Sequence, residues 1–363
     1  MVFKCDITTL RQIYKRLKEV YEVISPVYDN GVIQYRKNPD FDAIPFGKAQ
    51  MEYAGSYFVS DNIGKYFSYV RPYNTLKNFL RPAEEVLYRV YIKDGKLYFE
   101  SENKHTKKPM AFFDVRKCDL KALSILDEVF INKNNYPDEY YKELRENLFI
   151  VAVNCSEVSD VCFCSSMNVN FNNDYGSDIV LTELKKGFLL EVKTDKGKRL
   201  LEGLSLKEAD EDDLKEKNEI LTQTYTKIKK SLNKENLKEE LYKKINHPYW
   251  EEIGNRCLGC TSCTQVCPTC FCFDIIEKNS LDGSYSERVR IYDSCFNPNF
   301  ATVHKFNLRD KIFFRYRHWL LHKMAYWQDQ FDDIGCVGCG RCITWCPAKI
   351  DIEIETNKVR DFA

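Results

Sequence analysis

The sequence predicts an α+β protein, with an N-terminal mixed α+β domain followed by an α-helical module. Three observations carry that prediction. Helical and alternating apolar periods interleave over residues 1–203, a strongly charged stretch fills 204–246, and two identically spaced cysteine runs lie within 247–363. The chain has 363 residues, enough for more than one domain and a sizeable core.

Residues 7–24, ITTLRQIYKRLKEVYEVI, place apolar side chains at helical spacing with basic residues between them. Short alternating runs follow, and LYRVYIKDGKLYFE (87–100) breaks at Asp-Gly, a strong hairpin signal. PDEYYKELREN (137–147) reads as a helix leading into LFIVAVNC (148–155), a run of the buried-strand kind. DIVLTELKKGFLLEVKT (178–194) reads as a strand pair. The stretch 205–246 has acidic residues first and lysines later, which suits a helix dipole, and is expected to be a charged helical connector.

Lys plus Arg and Asp plus Glu each number 54. This balance gives no global reason to expect nucleic acid or an anionic membrane as partner. The N-terminus lacks the apolar core and cleavage site of a signal peptide. No apolar run approaches the roughly 18 residues of a spanning helix. The expectation is a cytoplasmic protein with reduced thiols. There, clustered cysteines bind metal or do redox chemistry rather than pair as disulfides.

CLGCTSCTQVCP (257–268) and CVGCGRCITWCP (336–347) both read C-x2-C-x2-C-x3-C-P, the run that binds 4Fe–4S clusters in bacterial-type ferredoxins. Three closely spaced thiolates wrap one face of a cubane, and the fourth, displaced by one residue, ligates the other cluster. One cluster is therefore assigned to Cys257, Cys260, Cys263 and Cys346, and the other to Cys336, Cys339, Cys342 and Cys267. Structural zinc also uses paired C-x2-C. It explains neither the third cysteine nor the trailing proline.

The first motif ends at Cys267 and the second begins at Cys336, too far apart for a compact hairpin-based ferredoxin. RDKIFFRYRHWLLHKMAYWQDQF (309–331) is a strong helix candidate, and much of the gap reads as helical. An all-helical dicluster module is expected, similar to the cluster domains of fumarate-reductase-type iron–sulfur subunits. The long insertion would pack around it.

Of the sixteen cysteines, eight remain. Cys155, Cys162 and Cys164 share one loop, and Cys118 stands at an expected helix start. These four could hold a third 4Fe–4S cluster; the alternative is that they pack as small hydrophobes. Cys270, Cys272 and Cys295 form a second subset that could ligate, support or pack. Cys5 reads as inert.

No dinucleotide or Walker-type phosphate motif occurs, nor any Ser-His-Asp or Cys-His constellation. Of the histidines, His105, His247, His304, His318 and His322, only the last two have helical zinc spacing, and no acidic third ligand lies beside them. Packing is their expected role, with Arg315, Arg317 and Lys323 offsetting the negative charge of thiolate-bound clusters. Clusters without substrate chemistry describe a wire for single electrons, and no catalytic site of the chain's own is expected.

RKCDLKALSILD, NLFIVAVNCSEVSDVCFCSSM, CLGCTSCTQVCPTCFCFD, YDSCF and RYRHWLLHKMAYW with GCVGCGRCITWCP together resemble the iron–sulfur β subunits of cytoplasmic NiFe sulfhydrogenases. They are similar also to the iron–sulfur electron-transfer subunit of anaerobic sulfite reductase, which is of the same family. The matching blocks span about residues 111–353. The resemblance implies an electron-transfer subunit between an NAD(P)H-linked flavoprotein and a catalytic subunit. That catalyst would be a NiFe hydrogenase subunit or a sirohaem sulfite reductase subunit. The ending GCVGCGRCITWCPAKIDI leans toward the hydrogenase branch. The resemblance also supports the third cluster without fixing its thiols. A reading of another class is a self-contained enzyme that activates substrate at an open iron of the N-terminal cluster.

Overall fold

The computed structural model describes residues 1–62, 64–101 and 108–362; His105 lies outside them. The expected first helix forms over Ile7–Val20. Asp6 caps it, its carboxylate accepting from Thr9 N at 2.8 Å and so satisfying one orphan donor of the first turn. Leu10, Ile13, Tyr14 and Leu17 recur at helical spacing and make its buried stripe.

That stripe packs on an eight-stranded sheet, whose order from one edge is 207–208, 2–5, 188–192, 179–183, 149–153, 110–115, 22–29 and 32–37. The four strands Ile179–Glu183, Phe149–Val153, Met110–Val115 and Glu22–Asp29 run parallel to one another. Their near-continuous apolar sequences fit burial on both faces. Alternation then sorts the side chains. Ala111, Phe113, Phe149, Val151 and Val153 face the first helix, whereas Phe112, Ile150 and Ala152 face the helices Lys117–Asp127 and Glu139–Glu146.

A four-stranded antiparallel sheet joins distant parts of the chain, in the order 273–279, 285–292, 84–93, 96–100. The gap between the cysteine motifs, expected to be largely helical, thus opens with a β-hairpin, Phe273–Asn279 and Tyr285–Tyr292. Its turn carries Asp282-Gly283, with Gly283 at φ +69°. The expected long helix follows as Ile312–Leu321 and Trp327–Phe331, joined by one π-turn, His322–Tyr326.

The charged stretch forms a helix over Glu211–Lys227, with a capping box between Asp210 and Asp213. Its C-terminal part touches the cysteine loop: Thr224 Oγ1 donates to the Cys155 carbonyl at 2.8 Å, and Lys227 Nζ donates to the Ser156 carbonyl at 3.1 Å. Among the described residues no helix is long and apolar enough to cross a membrane.

Candidate metal centres

The first motif cysteines wind from the end of the helix Tyr249–Arg256 into the short turn Ser262–Gln265. Cys257, Cys260 and Cys263 line a cavity of about 30 Å³ together with Cys346 from the second motif. Phe296, Tyr316, Trp319, Ile350 and Ile352 form its apolar wall, and Cys342 also borders it. Two wall donors, Tyr316 Oη and Trp319 Nε1, are buried without an acceptor. Inorganic sulfide would supply one. Cys260 is exposed, so this space approaches the surface.

Cys336, Cys339, Cys342 and Cys267 form a second set within electrostatic reach of one another. Burial pushes the Cys336 thiol up to about 12, Lys323 working against it. Cys267 is held well below the ordinary thiol range, first by its hydrogen bond with Cys270 and further by Lys323. Lys323 sits on the π-turn, fully buried, with Nζ 3.3 Å from Cys267 Sγ and 2.9 Å from Thr269 Oγ1. The π-turn puts a lysine where an unbroken helix would place other side chains, a common use of that irregularity. Arg315 and Arg317 do not share this role. Arg315 Nε donates to the Arg309 carbonyl at 2.8 Å and Arg317 Nη1 to the Ile245 carbonyl at 2.6 Å.

The four N-terminal cysteines come together. Cys118, Cys155, Cys162 and Cys164 all line one cavity of about 20 Å³, which Cys339 also borders. Cys118 lies in the first turn of the helix Lys117–Asp127 and Cys155 just beyond the strand Phe149–Val153. Both therefore leave the carboxyl ends of adjacent parallel strands, where open sheets of this kind place their ligands. A bulge at Asp114 (φ +65°) ends the first of these strands. Burial pushes the Cys118, Cys155 and Cys164 thiols up, so ionising them needs a nearby cation or metal.

The same space is lined by Arg71, Arg116 and Lys117, all buried. Arg71 Nη1 is 3.4 Å from Cys162 Sγ, and its Nη2 donates to Glu52 at 2.7 Å. Arg71 Nε and Arg116 Nη1 are buried donors without an acceptor. Arg71 was not legible beside the cysteines, because the fold brings it in from a distant loop; Arg116 stands two residues before Cys118, but nothing local marks it as facing the thiols. Of the remaining thiols, Cys270 meets Cys267 of the second set and Cys272 meets Cys295, while Cys5 is buried in the core under the first helix. His318 and His322 stack at 5.8 Å between ring centroids, and burial lowers their pKa values to about 4 and about 3.

The thiols surround space rather than converge. Among the described residues no three His, Cys, Asp or Glu side chains close round a single-ion position. Four thiols spread around such a space, with orphaned donors in the wall, fit a sulfide-containing cluster better than one tetrahedral zinc, which draws its sulfurs to about 2.3 Å.

Residues 256–350 match the family model described as a 4Fe-4S dicluster domain. The chain is 31% identical over 356 residues to a protein named sulfhydrogenase 2 subunit beta from Pyrococcus furiosus, covering 96% of each chain. No solved structure matches it. With near-complete coverage at that identity, and the dicluster domain over both motifs, the chain belongs to the sulfhydrogenase β-subunit family.

Proposed function

We propose that the chain is the electron-transfer subunit of a hydrogenase complex, with three 4Fe–4S clusters in single file. Cys257, Cys260, Cys263 and Cys346 hold the first; Cys336, Cys339, Cys342 and Cys267 hold the second; Cys118, Cys155, Cys162 and Cys164 hold the third. The carrying observation is the sharing of walls. Cys342 borders the first space and Cys339 the third, so the set to which both belong lies between them.

When bound, the clusters supply one-electron chemistry at thiolate-ligated iron. The chain's own residues hold them in order, exclude water and place charge beside them. Lys323 sets a cation against Cys267, and Arg71 sets one against Cys162. The partners in this reading are a flavoprotein that oxidises NAD(P)H and a NiFe catalytic subunit. The name of the Pyrococcus relative, a sulfhydrogenase subunit, supports the hydrogenase assignment over the sulfite reductase one.

Iron and acid-labile sulfide measured per chain after anaerobic purification, with EPR on the dithionite-reduced sample, tests the cluster count. About twelve irons with interacting signals is the expected result, and about eight would remove the third cluster. The role is tested by adding NADPH to the isolated chain with and without its flavoprotein partner. Cluster bleaching should require the partner; substrate turnover by the lone chain would overturn the assignment.

A further inference from the structure

The walls of the two outer spaces differ in kind. The N-terminal space is lined by Arg71, Arg116 and Lys117, whereas among the described residues no Lys, Arg or His lines the space at Cys257, Cys260, Cys263 and Cys346. The carboxylates that pair with the arginines, Glu52 and Asp114, do not line the space; Glu157 does, but it is partly exposed and paired with Lys227 at 3.0 Å, so the buried charges of the wall are the cations. Each arginine pair therefore presents its positive end to the thiols. Lys117 adds a further cation, its Nζ donating to the Asn173 carbonyl at 2.8 Å. The unused donors Arg71 Nε and Arg116 Nη1 strengthen the asymmetry. At the other end the unused donors are neutral, from Tyr316 and Trp319.

An added electron makes a thiolate-bound cluster more negative, so buried cations and donors beside it stabilise the reduced state. Water near Cys260 acts in the same direction at the first space. Only Cys260 of the four thiols there is exposed, so solvation reaches one edge of that site, whereas the cations of the N-terminal site stand in its buried wall.

Resting on the three-cluster reading above, we propose that Arg71, Arg116 and Lys117 are positioning residues that make the N-terminal site the electron-holding end of the wire. The Cys257 site is the electron-passing end. An electron entering at the exposed Cys260 side is drawn through the middle site toward Cys118, Cys155, Cys162 and Cys164. The step is a one-electron exchange in which one site is oxidised as the next is reduced, with no bond made or broken.

The test is an EPR-monitored redox titration of the purified full chain. Cys162→Ser identifies the N-terminal signal by altering it alone. That signal should appear at the higher potential of the two outer sites. In Arg71→Met/Glu52→Gln, which removes the pair without leaving a buried charge, the ratio of reduced to oxidised N-terminal cluster should fall at least tenfold at fixed potential. This is about 59 mV for a one-electron couple. The other two signals should hold their midpoints and serve as the folding control. Lys117→Met should act in the same direction, and Arg71→Lys with Glu52 intact should restore most of the shift. Equal or inverted outer midpoints, or an unmoved N-terminal signal in both charge-removing variants, would overturn the proposal. About eight irons per chain would instead sink the three-cluster reading itself, so the two failures are distinguishable.

Discussion

Lys323 carries a full charge in a place that discourages one. Burial works against that charge, yet the thiols of Cys267, Cys270 and Cys336 outweigh it and hold the pKa above the ordinary lysine value. A unit charge about 4 Å away at an effective dielectric of about 20 is worth roughly 4 kcal/mol. Lys323→Met should therefore lower the midpoint of the middle cluster by at least a tenfold change in its redox ratio, about 59 mV. Lys323→Arg should keep most of the native value. A redox titration reads both variants, and a midpoint unchanged in Lys323→Met would show that the lysine only fills space. The sequence marked this residue as a neutralising cation because it follows the histidine pair on a basic helix. It offered no means of separating it from Arg315 and Arg317, since the π-turn that turns Lys323 inward has no local signature of its own.

At the level of elements, the second motif loop lies directly on the N-terminal cysteine loop, and two glycines allow it. Phe163 N donates to the Gly338 carbonyl at 2.9 Å. Gly338 has φ +62°, and a Cβ there would sit 2.7 Å from both Cys164 N and the Phe163 carbonyl oxygen. At Gly340 (φ +77°) a Cβ would press into the Val161 carbonyl. Gly338→Ala combines a left-handed backbone penalty with overpacking, about 2–5 kcal/mol in all. An anaerobic denaturant titration followed by cluster absorbance should show an earlier midpoint for Gly338→Ala. Gly283→Ala, with open space around it, should lose only the backbone part. Equal losses would mean that the loops do not dock tightly. The dicluster domain was legible because its motif is a local spacing of cysteines that the sequence spells out twice. Cys118, Cys155, Cys162 and Cys164 were legible as a set, but their convergence depends on two parallel strands ending side by side. Strand order is nonlocal, and nothing in the runs 110–115 and 149–153 names its neighbour. The hairpin at 273–292 was missed even though Asp282-Gly283 carries the same signal as Asp94-Gly95, because the helical reading of the later gap was extended over it.

Across the whole molecule, the wire is continuous only if the dicluster module and the sheet domain hold a fixed relation, and one buried ion pair spans them. Arg341 lies between Cys339 and Cys342 in the chain; Asp119 follows Cys118. Their side chains meet in a bidentate pair, Nη1 to Oδ1 at 2.7 Å and Nη2 to Oδ2 at 2.8 Å, and Arg341 Nε and Nη2 also donate to the Pro72 carbonyl at 3.0 and 2.9 Å. Both side chains are essentially inaccessible to water. Forming such a pair from hydrated ions gains little net stability, because desolvation offsets the attraction; breaking it strands a buried charge and costs about 3–5 kcal/mol. Arg341→Met should therefore be strongly destabilising, as should Asp119→Leu, while the double variant should recover most of what either alone loses. A double-mutant cycle in denaturant measures that coupling. Simple addition of the two losses would show that each residue acts separately. The double variant also separates stability from wiring. With the charges gone but the fold retained, any weakening of the magnetic interaction between the second and third EPR signals reports a loosened relation between the two parts. An unchanged interaction would mean that Gly338, Gly340 and the loop they dock on are enough to set the spacing.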